Sequence, residues 1–97
     1  MLEAAKLMLG IVTDAYNTRI TSLLKAGARD LMSVGVVIAG DVIDGSITDD
    51  YVKEAILTYV ACHFGNPPNY QQLSDSYDYQ KKKLANTTGY TEWGGDE

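Results

Sequence analysis

The chain has 97 residues, 45% of them hydrophobic, and a net charge of -5 from 8 basic and 13 acidic side chains. That length holds one small domain whose core gives only marginal stability unless neighbours add to it, and the hydrophobic content argues against a disordered chain. The acidic balance disfavours a protein that grips nucleic acid by its phosphates, because such binding needs a clustered positive surface. One cysteine excludes an intramolecular disulfide and a Cys-rich metal site. No apolar run approaches the roughly 20 residues of a membrane span. The N-terminal stretch MLEAAKLMLG lacks the basic start and uninterrupted apolar run of a signal peptide, so a cytoplasmic protein is expected.

Leu2 to Leu9 reads as a short helix with Leu2, Ala5, Leu7 and Leu9 apolar and with Glu3 and Lys6 facing out. So short a helix must dock to form, and Gly10 ends it. Thr13 is a candidate cap for a second helix over 14–34, on the order of 30 Å long, with Tyr16, Ile20, Leu23, Leu24, Gly27, Leu31 and Val34 on one face. Gly27 costs that helix about 1 kcal/mol in propensity against Ala. It either allows close approach of another helix or is a tolerated imperfection. Gly35 is the candidate C-terminal glycine.

Val36 to Ser46, VVIAGDVIDGS, is β-branched and without helical spacing. It is an extended loop tucked against the long helices or a small hairpin around Gly40-Asp41. The clearest helix follows, over 49–64. Thr48 is its candidate N-cap and Asp49 and Asp50 suit the positive end of its dipole. Ile47 and Val52 have the spacing of a hydrophobic staple. Val52, Ala55, Ile56, Tyr59, Val60, His63 and Phe64 form an apolar stripe, widened by Leu57, Ala61 and Cys62, so this helix should contact structure on more than one side. Gly65 and then Asn66-Pro67-Pro68 stop it. Tyr70 to about Asn86 is a fourth helix with Tyr70, Leu73, Tyr77 and Leu84 as a narrow seam and Lys81, Lys82 and Lys83 in its last turns. The expected fold is all-α: a small bundle of about four helices (2–9, 14–34, 49–64, 70–86), two long and central, in one helical domain over 1–86. A flexible tail over 87–97 is expected to follow.

Chemistry-bearing candidates are few. His63 is the only histidine, which rules out a His-pair metal site. Cys62 beside it points roughly 100° away on a helix, so the two do not converge as a nucleophile pair. Asp49, Asp50 and Glu54 are explained by their place at a helix start rather than by acid–base catalysis. Gly40-Asp41 lacks the following lysine of a phosphate loop. No enzyme, cofactor or metal is expected. More suggestive are Tyr70, Tyr77, Tyr79, Tyr90 and Trp93, all beyond Pro68 and outside the obvious core helices, since aromatics combine contact area with a polar handle at interfaces.

The stretches ARDLMSVGV (28–36), VKEAILTYVACHFGNP (52–67), SYDYQKKKL (76–84) and TGYTEW (88–93) together resemble the small head–tail connector proteins of long-tailed bacteriophages, also labelled DNA-packaging or head-completion proteins. The resemblance covers most of the chain, from about Thr13 to Trp93. The loop at 36–46 departs from it by extra Val, Ile and Gly residues. The resemblance implies a structural virion protein made in the host bacterial cytoplasm and located at the head–tail junction. It implies a homo-oligomeric ring of about twelve copies below the portal protein, which extends the DNA channel and joins the packaged head to the next head-completion or tail protein. DNA would pass through without specific recognition, and no membrane is involved. On these positions the implied portal or neighbour docking set is Tyr70, Leu73, Tyr77, Leu84, Tyr90 and Trp93. The acidic balance suits a channel wall along which DNA must slide. Asp41, Asp44, Asp49 and Asp50 are the channel-facing candidates. The rival of another class is a small helical DNA-binding regulator. Against it, the connection between the long helices exceeds the 3–4 residue turn of a helix-turn-helix, and no helix carries a basic polar face.

Overall fold

The computed structural model describes residues 1–43 and 45–87. Four helices lie among them: α1 (Leu2–Leu9), α2 (Asn17–Ser33), α3 (Asp50–His63) and α4 (Tyr70–Asn86). No strand occurs among the described residues. The fold is an all-α small bundle.

α3 touches each of the other three helices. Its sequence explains why. Val52, Ala55, Ile56 and Val60 are buried, Cys62 is 4% exposed, and Leu57, Tyr59 and Phe64 are partly buried against the same core. An apolar surface that wide needs partners on more than one side. α2 covers one flank with Ile20, Leu23, Leu24 and Leu31, and α4 covers the other with Tyr77 and Leu84. α1 contributes Ala5 and packs on α2 and α3.

Helix ends follow local chemistry. Gly10 (φ 73) closes α1, with its N–H donating to the Leu7 carbonyl and that of Ile11 to the Lys6 carbonyl. Gly35 (φ 92) closes α2 in the same double-bonded way, through Met32 and Leu31. These pairs satisfy carbonyls that a helix end otherwise leaves orphaned. α3 is capped by Asp49, whose Oδ1 accepts from the N–H groups of Tyr51 (2.9 Å) and Val52 (3.1 Å).

Four expectations need correction. The cap of α3 is Asp49 rather than Thr48, because the carboxylate one residue on reaches two N–H groups; Ile47 and Val52 are still both buried. α2 begins at Asn17, not at 14, and is therefore shorter than expected. The Thr13 hydroxyl is spent on a local turn, accepting from the Ala15 N–H at 3.2 Å, and Asp14 accepts from the Asn17 amide and from Lys6. With α2 and α4 of equal length and α3 shorter, the bundle has one central helix, α3, rather than two long central ones. Lys6 does not face out. It is 7% exposed, while Leu7 is 83% exposed. The lysine lays its aliphatic stem along the core and extends its ammonium to Asp14 Oδ1 at 2.8 Å.

The segment between α2 and α3 is a loop, not a hairpin. Val36, Val42 and Ile47 are buried in the core and Ile38 is half-buried. The loop is shaped by its own polar groups: the Asp41 N–H donates to Ser46 Oγ and the Ile43 N–H to Asp41 Oδ1, each at 2.7 Å. Gly40 (φ 118) is required there, because a Cβ would lie 2.6 Å from the Ser46 carbonyl carbon. The N-terminal ammonium of Met1 donates to the Val42 carbonyl at 3.1 Å and ties α1 to this loop.

Candidate docking surface

The face that carries the suggestive aromatics is built by α4 lying on α3. Tyr77 and Leu84 of the α4 seam point inward, 6% and 4% exposed, and serve the protein's own core. Leu73 is half-buried against that core, and Tyr70, at the start of α4, is exposed. Tyr90 and Trp93 lie outside the described residues.

Around Tyr77 the structure brings together residues far apart in the chain. Its hydroxyl donates to Asp30 Oδ2 of α2 at 2.5 Å, and Lys81 Nζ reaches the same oxygen at 3.2 Å. Lys81 Nζ also lies 5.4 Å from the Tyr77 ring centroid. The Tyr77 ring meets Tyr59 of α3 edge-on, with centroids 5.3 Å apart, and Tyr59 in turn lies against His63 at 4.3 Å. Tyr59 approaches α2 where Gly27 leaves room: a Cβ on Gly27 would stand 3.1 to 3.3 Å from Tyr59 Cδ1, Cγ and Cβ. The glycine therefore permits close helix approach. His63 itself is exposed at the end of α3.

The electrostatics follow from this packing. Burial, reinforced by the hydrogen bond to Asp30, raises the Tyr77 phenol well above its ordinary value. For Asp30, burial pushes upward, but hydrogen bonds from Tyr77 and Lys81, with the positive charge of Lys81, outweigh it and hold the carboxyl below its usual range. Burial, with a smaller push from Asp78, raises the Cys62 thiol.

The acidic candidates separate by role. Asp49 caps α3, Asp50 sits exposed in the first turn of that helix, and Asp41 is exposed and shapes the loop turn. Asp44 lies outside the described residues. Among the described residues, no group of three or more His, Cys, Asp and Glu side chains is placed to hold a metal ion, and no helix is long and apolar enough to cross a membrane.

Two exposed tyrosines escaped the seam pattern. Tyr51 is 69% exposed and Tyr79 is 66% exposed. Together with Glu54, Gln80, Lys83, Leu84 and Thr87 they line a groove of about 330 Å³ between α3 and the second half of α4. Tyr79 stands two positions past the inward Tyr77, hence on another face of the helix. That spacing was the available signal. The pairing with Tyr51 needed the α3–α4 contact.

Comparison with known proteins places the chain. A sequence profile described as phage connector protein matches residues 1–91. The chain belongs to the phage connector protein family, which makes it a structural bacteriophage protein that works with other head and tail components. No curated protein and no solved structure gave a match.

Proposed function

We propose that the chain is a head–tail connector subunit that assembles as a ring below the portal, extends the DNA channel and joins the packaged head to the next head-completion or tail component. The observation that carries this reading is the family match over residues 1–91. A ring of about twelve copies, by closed cyclic symmetry, uses two different faces of each subunit, and the small core gains stability from such neighbours. The exposed Tyr70 and the half-buried Leu73 offer contact area at the start of α4, and Tyr90 and Trp93 add to the docking set for the portal or a neighbouring subunit. Tyr77 and Leu84 act from beneath, by holding α4 in place. Asp41 and Asp50 are exposed and, with Asp44 and Asp49, are the channel-facing candidates; a net charge of -5 lets DNA slide rather than bind. The subunit is made in the host bacterial cytoplasm and ends in the virion.

Light scattering over a wide concentration range, with negative-stain imaging of large species, tests the reading. Rings of about a dozen subunits, or a monomer that binds purified portal protein, support it. A stable dimer that binds duplex DNA specifically would replace it with the regulator.

A further inference from the structure

The outer face of α2 runs against the charge of the chain. Lys25 and Arg29 are exposed one turn apart, and Arg19 is exposed nearer the helix start. None of the three makes an ion pair among the described residues. Asp30, the one acid of α2, is turned inward to Tyr77 and Lys81. In a protein of net charge -5 this face is purely basic, and it calls for an acidic surface.

The same chain carries such a surface elsewhere. Asp50 and Glu54 are exposed one turn apart on α3, on the side away from buried Val52, Ile56 and Val60. Two bases stand near them and pair with neither. Lys53 is half-buried on the flank of α3 toward α1, and Lys83 lies across the α3–α4 groove with its ammonium 6.0 Å from the Tyr79 ring centroid. α2 meets α3 through Ile20, Leu24 and Leu31, so its basic face points away from α3. Within one protomer the two charged faces cannot meet.

Their spacings match. Each face sets its two charges four positions apart, about 6 Å along a helix axis. With the two helices antiparallel, Arg29 meets Asp50 while Lys25 meets Glu54. Beyond the charges come Ser22 and Thr18 on α2 and Thr58 and Ala61 on α3, small side chains that let helices approach. Nucleic acid suits the basic face less well: three cations give few phosphate contacts, and the rest of the chain repels a polyanion.

We propose that the outer face of α2 docks antiparallel on the Asp50–Glu54 face of α3 in a second copy of this chain. The contact is heterologous. A pair of copies still has one free face of each kind, so the contact propagates and closes into a ring where the rotation between copies allows it. As a ring contact it rests on the connector reading, and there it assigns Asp50 to the neighbour and leaves Asp41 and Asp49 as channel-facing candidates.

Self-association of the full chain at low salt, followed by light scattering and sedimentation, tests the contact. Lys25→Glu/Arg29→Glu should weaken association roughly tenfold or more, and Asp50→Lys/Glu54→Lys should do the same. All four side chains are exposed, so helix content by circular dichroism should hold. An equimolar mixture of the two variants should associate again, because the acidic α2 face of one then meets the basic α3 face of the other. The neutral pair Asp50→Asn/Glu54→Gln keeps the start of α3 polar and should weaken association by a smaller factor, which guards against a reversal that disturbs the fold. A wild-type chain that stays monomeric up to roughly 1 mM, where even a weak contact registers, would overturn the proposal. So would association indifferent to the neutral pair or to either reversal, or a mixture of folded variants that stays apart. Duplex DNA held by the wild type and released by Lys25→Glu/Arg29→Glu, without self-association, would overturn it and assign the α2 face to phosphates. Binding to purified portal is read separately: a chain that binds portal yet ignores these reversals loses the contact and keeps the connector reading.

Discussion

The two ends of the bundle use polar contacts in opposite settings. Where α2, α3 and α4 meet, the Asp30–Tyr77–Lys81 contacts are backed by interlocked packing: Tyr59 fits over Gly27 on one side and meets the Tyr77 ring on the other. At the α1 end, the tethers are Lys6 to Asp14, whose side chain is 86% exposed, and the Met1 ammonium to the Val42 carbonyl. A charge contact gains weight when surrounding side chains exclude water and fix its geometry, and loses it when one partner stands in solvent. Global stability should therefore reside at the three-helix junction, and α1 should be a locally attached element.

The largest expected effect at the junction comes from removing core volume. Leu24→Ala, at a fully buried position, should cost about 2–5 kcal/mol in denaturant unfolding. A loss well under that range would mean that α2 collapses onto α3 more freely than its packing suggests. Next is Gly27→Val. The added carbons meet Tyr59 at its Cβ and ring base, which cannot swing away, so overpacking should cost about 1–3 kcal/mol. A neutral result would show that the close approach is not a constraint.

Tyr77→Phe comes third. Hydrogen bonds to charged groups contribute more than neutral ones, but Asp30 is roughly one-third exposed and still has Lys81, so the cost should be about 1–2 kcal/mol. Its pH dependence sharpens the test. Asp30 has a lowered folded-state pKa, so its contribution is present above the ordinary carboxyl value of 3.8 and disappears as pH falls through the folded value. The Tyr77 phenol is raised, so its contribution is intact below the ordinary value of 10.0 and declines as pH rises beyond it. Asp30→Asn should flatten the acid limb of a stability–pH curve, and Tyr77→Phe the alkaline limb. Smallest is Lys6→Met, which keeps the buried stem and removes only the ammonium. It should leave the global unfolding midpoint unchanged while amides of α1 exchange no slower than before. A clear drop in midpoint would mean that the two ends unfold as one.

What the sequence revealed was local. Gly10, Gly35 and Gly65 mark real helix ends because left-handed backbone is cheap only for glycine, and the apolar stripe of α3 announces a helix covered on several sides. The same local logic failed where two groups competed for one role. Thr48 and Asp49 both suit a cap, and only geometry chose the carboxylate. Thr13 carries a capping signal but uses it on a turn ahead of α2. Lys6 reads as outward because its charge is visible in sequence and its stem is not. On the candidate docking surface, the Tyr70–Leu73–Tyr77–Leu84 seam is evident from spacing, yet Tyr77 and Leu84 turn inward, because the α4 positions that meet α3 depend on a contact no local pattern encodes. The Tyr77–Asp30 pair, 47 positions apart, and the groove between Tyr51 and Tyr79 were invisible for the same reason.

Cys62 turns the junction into a clock. Cys62 is 4% exposed on α3 and burial raises its thiol above its ordinary value, so a disulfide reagent meets little access and a disfavoured thiolate while the helices stay packed. Labelling at this single site then proceeds only as fast as the bundle opens. The unmodified chain carries its own stopwatch for the opening of the bundle.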